Sequence, residues 1–399
     1  MKRLLCFALT FLLIFPVGIV AKAQIATEYY SDDLTADTDG TVYASTEPQI
    51  TEFNTVLMEK NTKTVLSENN SHEKAAPASI TKIMSLILIM EAIQKGKLSL
   101  NTKITASEHA CSMGGSQIWL EPGEKMTVDD LLKAVVVASA NDATVALAEA
   151  VSGSEEAFVD AMNKKAATLK MADTHFENCS GLDADGHVSS AYDIAIMSCE
   201  LLKHDLIKNY TTIWMDTLRD GTSELVNTNK LVRFYSGATG LKTGTTSKAG
   251  FCVSATAEKN GMELCAVVLG AKNNDERFGT AKKLLNYGFA NYKTKTVNEK
   301  DIKSITLKVE GGTEDTVVAV PSGSIHCLIA ATEDGEITLD TASDGKVTAP
   351  IAKGQKLGTV TVKLKNKELG QVDLVAETTI EALTFKKVLI CLMKSLFEL

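Results

Sequence analysis

The chain has 399 residues, 45% of them hydrophobic and 23% charged, enough for more than one domain and a sizeable core. Its 41 basic and 50 acidic side chains leave a net charge of −9, which argues against a nucleic-acid partner held by a basic surface. Eight cysteines are scattered with no CxxC pair, so no metal, no dithiol redox centre and no cofactor is expected.

Met1–Ala23 combines a basic start (Lys2, Arg3), an apolar centre from Leu4 to Val20, and Ala21-Lys22-Ala23 before a polar stretch. That pattern predicts a secretory signal cleaved before Gln24, and export across the cytoplasmic membrane. A retained membrane helix fits less well, because Pro16 and Gly18 interrupt the apolar run. Residues 24–49 are polar and poor in large apolar side chains, as a flexible leader would be. Helix and strand signals alternate over residues 50–295. Beyond them, Ile305/Leu307/Val309 and Val360/Val362/Leu364 alternate with polar residues, which predicts a small all-β domain over 296–378.

Within 50–295, the stretch Pro77-Ala-Ser-Ile-Thr-Lys82 opens a run in which Ile80, Ile83, Met84 and Ile87 recur at helical spacing. Ser79 and Lys82 then lie one turn apart on one side of a helix with a buried face. A serine hydroxyl needs a base to become a nucleophile, and a lysine serves if burial lowers its pKa. Ser-x-x-Lys also occurs at Ser71/Lys74 and Ser343/Lys346, where no buried helix follows to fix the serine.

Thr127 to Val137 reads as a helix opened by Thr127 and Asp130, and Asn141 to Val151 as a second one closed by Gly153. Ser139-Ala140-Asn141 falls between them, either an ordinary cap or a pair of polar side chains turned into a cleft. From Thr239 onward, strand signals surround an Asn260-Gly261 hairpin turn. Lys242-Thr243-Gly244-Thr245 lies on the strand leading into it. There Lys242 and the threonines suit an anionic end such as a carboxylate, and Gly244 would let a ligand's backbone approach. Cys252 and Cys265 fall on consecutive strands and could face one another, although buried free thiols are the simpler reading.

Ser79-x-x-Lys82, Ser139-x-Asn141 and Lys242-Thr243-Gly244, together with Gly181-Leu-Asp-Ala-Asp-Gly-His187, resemble the motifs of the low-molecular-mass penicillin-binding proteins. More closely, the chain resembles those that are D-alanyl-D-alanine carboxypeptidases of the serine peptidase S11 family, over roughly residues 50–295. The resemblance implies an α/β (α+β) catalytic domain, with an antiparallel sheet beside a helical lobe and the cleft between them. It implies catalytic roles for Ser79, Lys82 and Ser139, with Ser139 held by Lys82, Asn141 and Lys242. Asn141, Lys242, Thr243, Gly244 and Thr245 would bind substrate, and the amides of Ser79 and Thr245 would form the oxyanion hole. The implied partners are a peptidoglycan stem peptide and β-lactam antibiotics. Asp183 and His187 would lie at the active-site rim, and Arg277 would either assist the substrate carboxylate or form a surface salt bridge.

A β-lactamase would share these motifs, but no Glu-x-x-x-Asn pattern lies between Asn141 and Lys242. A D,D-transpeptidase or endopeptidase remains open on motifs alone. Residues 379–399 carry a broad apolar face and a narrow polar one with Lys386, Lys387 and Lys394, which predicts an amphipathic helix lying on a membrane surface. Packing of that helix on a domain is the alternative.

Overall fold

The computed structural model describes residues 46–385 and 387–389. The signal, most of the leader and most of the terminal helix lie outside the described residues. The catalytic part is built on a five-stranded antiparallel sheet. Its strands are β1 (Asn54–Glu59), β2 (Val65–Asn69), β3 (Ala238–Thr246), β4 (Gly250–Lys259) and β5 (Met262–Ala271), in the order β2-β1-β5-β4-β3. The Asn260-Gly261 turn joins β4 to β5 with both residues at positive φ (51° and 76°), the conformation that suits the right-handed strand twist. β3 is an edge strand, so one row of its backbone groups has no strand partner.

Between β2 and β3 the chain forms the helical lobe. Its main helices are α1 (Lys82–Gln94), α2 (Val128–Val137), α3 (Asn141–Ser152), α4 (Glu155–Thr168) and α5 (Ala191–Leu201). The expected caps are present. Thr127 Oγ1 accepts from Asp130 N, and Gly153 ends α3 at φ 90°. The periodicity around Ile83 predicts one buried face for α1, but the helix is buried on almost every side. Leu86, Ile89 and Met90 are covered as well as Ile83, Met84 and Ile87, because α1 runs through the middle of the lobe. One core lies between that lobe and the sheet. A second lies on the opposite sheet face, under α6 (Asn274–Asn291), where Phe278, Ala281, Leu284 and Leu285 meet Leu57, Val253, Leu264 and Val268.

The β domain has its own core, including Leu307, Val317, Val360, Val362, Leu374 and Ile380. Its strands are β6 (Tyr292–Val297), β7 (Ile305–Glu310), β8 (Thr316–Pro321), β9 (Ile325–Ala330), β10 (Ile337–Ala342), β11 (Lys346–Thr348), β12 (Lys356–Leu364) and β13 (Lys367–Ala376). Six form one sheet in the order β10-β12-β13-β8-β7-β11, and β6 pairs with β9. Two expected boundaries shift. β6 pairs with β9 from Tyr292 onward, so a division between 295 and 296 would cut a strand in two. Ile380 and Ala382 form bridges with Ile351 and Gly312, so the β domain runs past 378, and helix begins only at Phe385.

Candidate active site

Ala78–Thr81 forms a 3-10 turn and α1 begins at Lys82, so Ser79 stands just ahead of the helix rather than on it. On such a turn residues three apart eclipse. Lys82 Nζ accordingly lies 2.9 Å from Ser79 Oγ. Ser79 is half-buried, whereas Lys82 is fully enclosed. The other neighbours of Nζ are Asn141 Oδ1 and the carbonyl oxygen of Ser180, each at 2.6 Å. Burial without a paired carboxylate lowers the Lys82 pKa to about 7, against an opposing pull from Cys179 and Asp142.

Ser139 sits at φ 64° between α2 and α3 and accepts from Lys242 Nζ at 2.8 Å. Lys242 also donates to the carbonyl of Thr243 at 3.0 Å. Lys242 is 1% exposed, and burial, with the charges of Lys82 and Arg277, holds its pKa well below the usual lysine value. Of the three residues expected to hold Ser139, only Lys242 does; Lys82 bonds Ser79, Asn141 and Ser180, and the Asn141 side chain bonds Lys82 and Gly114. Asn141 is engaged at both ends of its carboxamide, since Nδ2 donates to Gly114 O at 2.6 Å. It therefore fixes Lys82 in place.

Strand alternation puts Lys242, Gly244 and Thr246 on one face of β3 and Thr243 and Thr245 on the other. The Thr243 hydroxyl donates to Thr228 Oγ1 at 2.7 Å. The Thr245 hydroxyl donates to Gly244 O at 2.8 Å and accepts from Arg277 Nη1 at 3.1 Å. Gly244 was expected to admit a ligand's backbone, but its close neighbour here is the chain's own turn at Ser79. A Cβ there would lie 2.9 Å from Pro77 O, 3.0 Å from Ala78 Cβ and 3.1 Å from Ser79 N.

Three further residues acquire places that the sequence left open. Arg277 makes no surface salt bridge. It is buried behind β3, donates to Gly244 O, Thr245 Oγ1 and Cys252 O, and lies over the Phe278 and Phe251 rings. His187 is 2% exposed, and its Nδ1 accepts from Glu177 N at 3.0 Å. Its Nε2 therefore carries the proton and donates to Thr81 Oγ1 at 2.8 Å, and burial lowers its pKa to about 4. It is a neutral brace for the turn beside Lys82. Asp142, fully buried, accepts from the amides of Ile118 and Leu120 and so ties the loop 114–120 to the start of α3. Cys252 lies opposite Gly244 and Cys265 opposite Thr256, so the two do not face one another, and both are free thiols.

The sequence profile described as D-alanyl-D-alanine carboxypeptidase (peptidase S11) matches residues 41–273. D-alanyl-D-alanine carboxypeptidase DacF of Bacillus subtilis is 45% identical over 326 residues, covering 81% of this chain and 84% of that one. The chain belongs to the D-alanyl-D-alanine carboxypeptidase family. It is accordingly a hydrolase of the penicillin-binding class, acting on the D-Ala-D-Ala ends of cell-wall peptides. A second profile, the C-terminal domain of penicillin-binding protein 5, matches residues 292–382, the span over which the β domain folds. Penicillin-binding protein 5 from Haemophilus influenzae superposes with a TM-score of 0.73 at 31% identity, over 84% of this chain and 99% of that one. The ampicillin-bound penicillin-binding protein D2 of Listeria monocytogenes has a TM-score of 0.56 at 30% identity, over 61% of this chain and all of that one.

Proposed function

We propose that this carboxypeptidase works through an acyl-enzyme at Ser79, with Lys82 as its base. One observation carries the assignment. A neutral lysine has two N–H hydrogens and one lone pair, and two of the three neighbours of Lys82 Nζ, Asn141 Oδ1 and Ser180 O, can only accept. They take the two hydrogens, and the lone pair is left for the Ser79 hydroxyl at 2.9 Å.

Ser79 Oγ would then add to the carbonyl of the D-Ala-D-Ala bond while its proton passes to Lys82. The amides of Ser79 and Thr245 would receive the oxyanion, where losing one donor costs about 3–4 kcal/mol. The close packing of Gly244 on Ser79 N and the edge position of β3 support this placement. Ser139, bonded to Lys242, would relay the proton taken up by Lys82 to the departing D-alanine amine as the C–N bond breaks, which returns Lys82 to its neutral form for the water step. Lys242, Thr243 and Thr245, backed by Arg277, would hold the terminal carboxylate, whose charge would offset the desolvation of the buried Lys242. Water then cleaves the ester and frees the shortened peptide. A β-lactam would acylate the same serine by opening its ring.

We further propose that the chain is exported by its N-terminal signal and held on the outer face of the membrane by residues 383–399, the part of the expected 379–399 helix that follows the last β-domain bridge. The exposed apolar side chains Leu383, Phe385 and Leu389 support the second point.

The test uses fluorescent penicillin and a pentapeptide ending in D-Ala-D-Ala. The wild-type protein should label covalently and release D-alanine, and Ser79→Ala should do neither while melting at a similar temperature. Labelling of the mutant at the wild-type rate would move the nucleophile elsewhere.

A further inference from the structure

Trp119 is 75% exposed, yet the backbone on both sides of it is hydrogen-bonded to fixed side chains. Its φ of 58° is one that a bulky side chain rarely adopts. The flanking amides of Ile118 and Leu120 both donate to the buried carboxylate of Asp142. The flanking carbonyls of Ile118 and Trp119 both accept from Arg219, and Glu124 grips that guanidinium at 2.8 and 3.1 Å. Ile118 and Leu120 are each only 6% exposed, so they anchor the loop inward and force the indole outward.

The same loop forms one wall of the active site. Asn141 N donates to Ser116 O, and Asn141 Nδ2 to Gly114 O, while Asn141 Oδ1 receives Lys82. A Cβ on Gly115 would lie 3.7 Å from Leu182 Cδ2, an exposed apolar tip next to Gly181. Gly181 in turn packs on the carbonyl of Ala78, beside the nucleophile. Asn141 therefore ties this loop to Lys82 and, through it, to Ser79.

We infer that Trp119 is a substrate-contact residue, the aromatic wall for the stem-peptide residues that precede D-Ala-D-Ala. The inference rests on the carboxypeptidase reading of the cleft and names the part of the substrate that its rim selects. An indole face packs on aliphatic chains and attracts an ammonium group, both of which a diamino acid in the stem peptide offers.

Two substrates separate this role from a structural one, a pentapeptide ending in D-Ala-D-Ala and acetyl-D-Ala-D-Ala. For Trp119→Ala, KM for the pentapeptide should rise about ten-fold with kcat nearly unchanged, as expected for the loss of one good aromatic contact. Release of D-alanine from the acetylated dipeptide should be unchanged, and Trp119→Phe should restore most of the pentapeptide affinity. The chain has 2 tryptophans, so in Ser79→Ala/Trp214→Phe the emission of Trp119 alone should respond to the pentapeptide but not to the dipeptide. Equal losses on both substrates, or emission that ignores the pentapeptide, would overturn the inference. Failure of the wild-type enzyme to release D-alanine from either peptide would instead overturn the catalytic reading, while the emission titration would still decide this one.

Discussion

Lys82 reaches Ser79 with no carboxylate among its hydrogen-bond partners, and the role of base proposed for it rests on that arrangement and on its burial. The sign of the pH dependence can be worked out from the lowered pKa. Only the neutral amine can take the serine proton, so kcat/KM for D-alanine release should rise with pH, level off above about 7, and fall ten-fold per unit below it. His187, lowered to about 4, is neutral throughout this range and adds no second limb. Stability follows the same direction. The unfolded lysine binds its proton below its ordinary value of 10.5 and the folded one only below about 7, so stability falls as pH drops between those values and then levels off. A pH–rate profile flat from pH 6 to 8 would place the base elsewhere. The spacing of Ser79, Lys82, Ser139, Asn141 and Lys242 made these residues legible in the sequence. Their supports were not, because the carbonyls of Ser180 and Gly114 belong to irregular segments, where any residue type supplies the same oxygen.

At the scale of elements, the cleft depends on how closely β3 and the segment at Gly181 approach the turn that carries Ser79. A methyl group at Gly244 would press on Pro77 O and Ser79 N at about the limit that neighbours can absorb, and such overpacking costs about 1–3 kcal/mol. Gly181 is far less tolerant, since its φ is 89° and a Cβ would fall 1.9 Å from Ala78 O. The expected order is therefore clear. Gly244→Ala should fold and acylate with penicillin about ten-fold more slowly, if the disturbed turn raises the barrier by about 1.4 kcal/mol. Gly181→Ala should lose acylation and also melt at a lower temperature. Wild-type acylation by both variants would show that the close approach is dispensable. The hairpin at Asn260-Gly261 and the caps at Thr127 and Gly153 were readable because each has its own turn chemistry. The start of the β domain was not, because α6 ends at Asn291 and β6 begins at Tyr292, with no glycine, proline or polar linker between them.

For the whole molecule, the question is what the β domain leaves uncovered at its end. Ile380 is 3% exposed and pairs with Ile351, and Ala382 pairs with Gly312, so the chain belongs to that domain up to residue 382. Immediately afterwards the pattern inverts. Leu383, Phe385 and Leu389 are 50%, 84% and 48% exposed. Among the described residues no helix is long and apolar enough to cross a membrane, so attachment here would rest on an interfacial helix. Lys387 pairs with Glu381, so its charge is already partly compensated and its pull on anionic lipid should fall below the roughly 1 kcal/mol of a free lysine near the surface. A cut at 378 would remove Ile380 from the β core and confuse loss of anchoring with loss of folding. The informative truncation ends at Ala382. Its expected behaviour is penicillin labelling at the full-length rate, an unchanged melting temperature, and no sedimentation with vesicles of anionic phospholipid that capture the full-length, signal-processed protein. Capture of both proteins would place the attachment elsewhere, and capture of neither would leave the terminal segment packed on the fold.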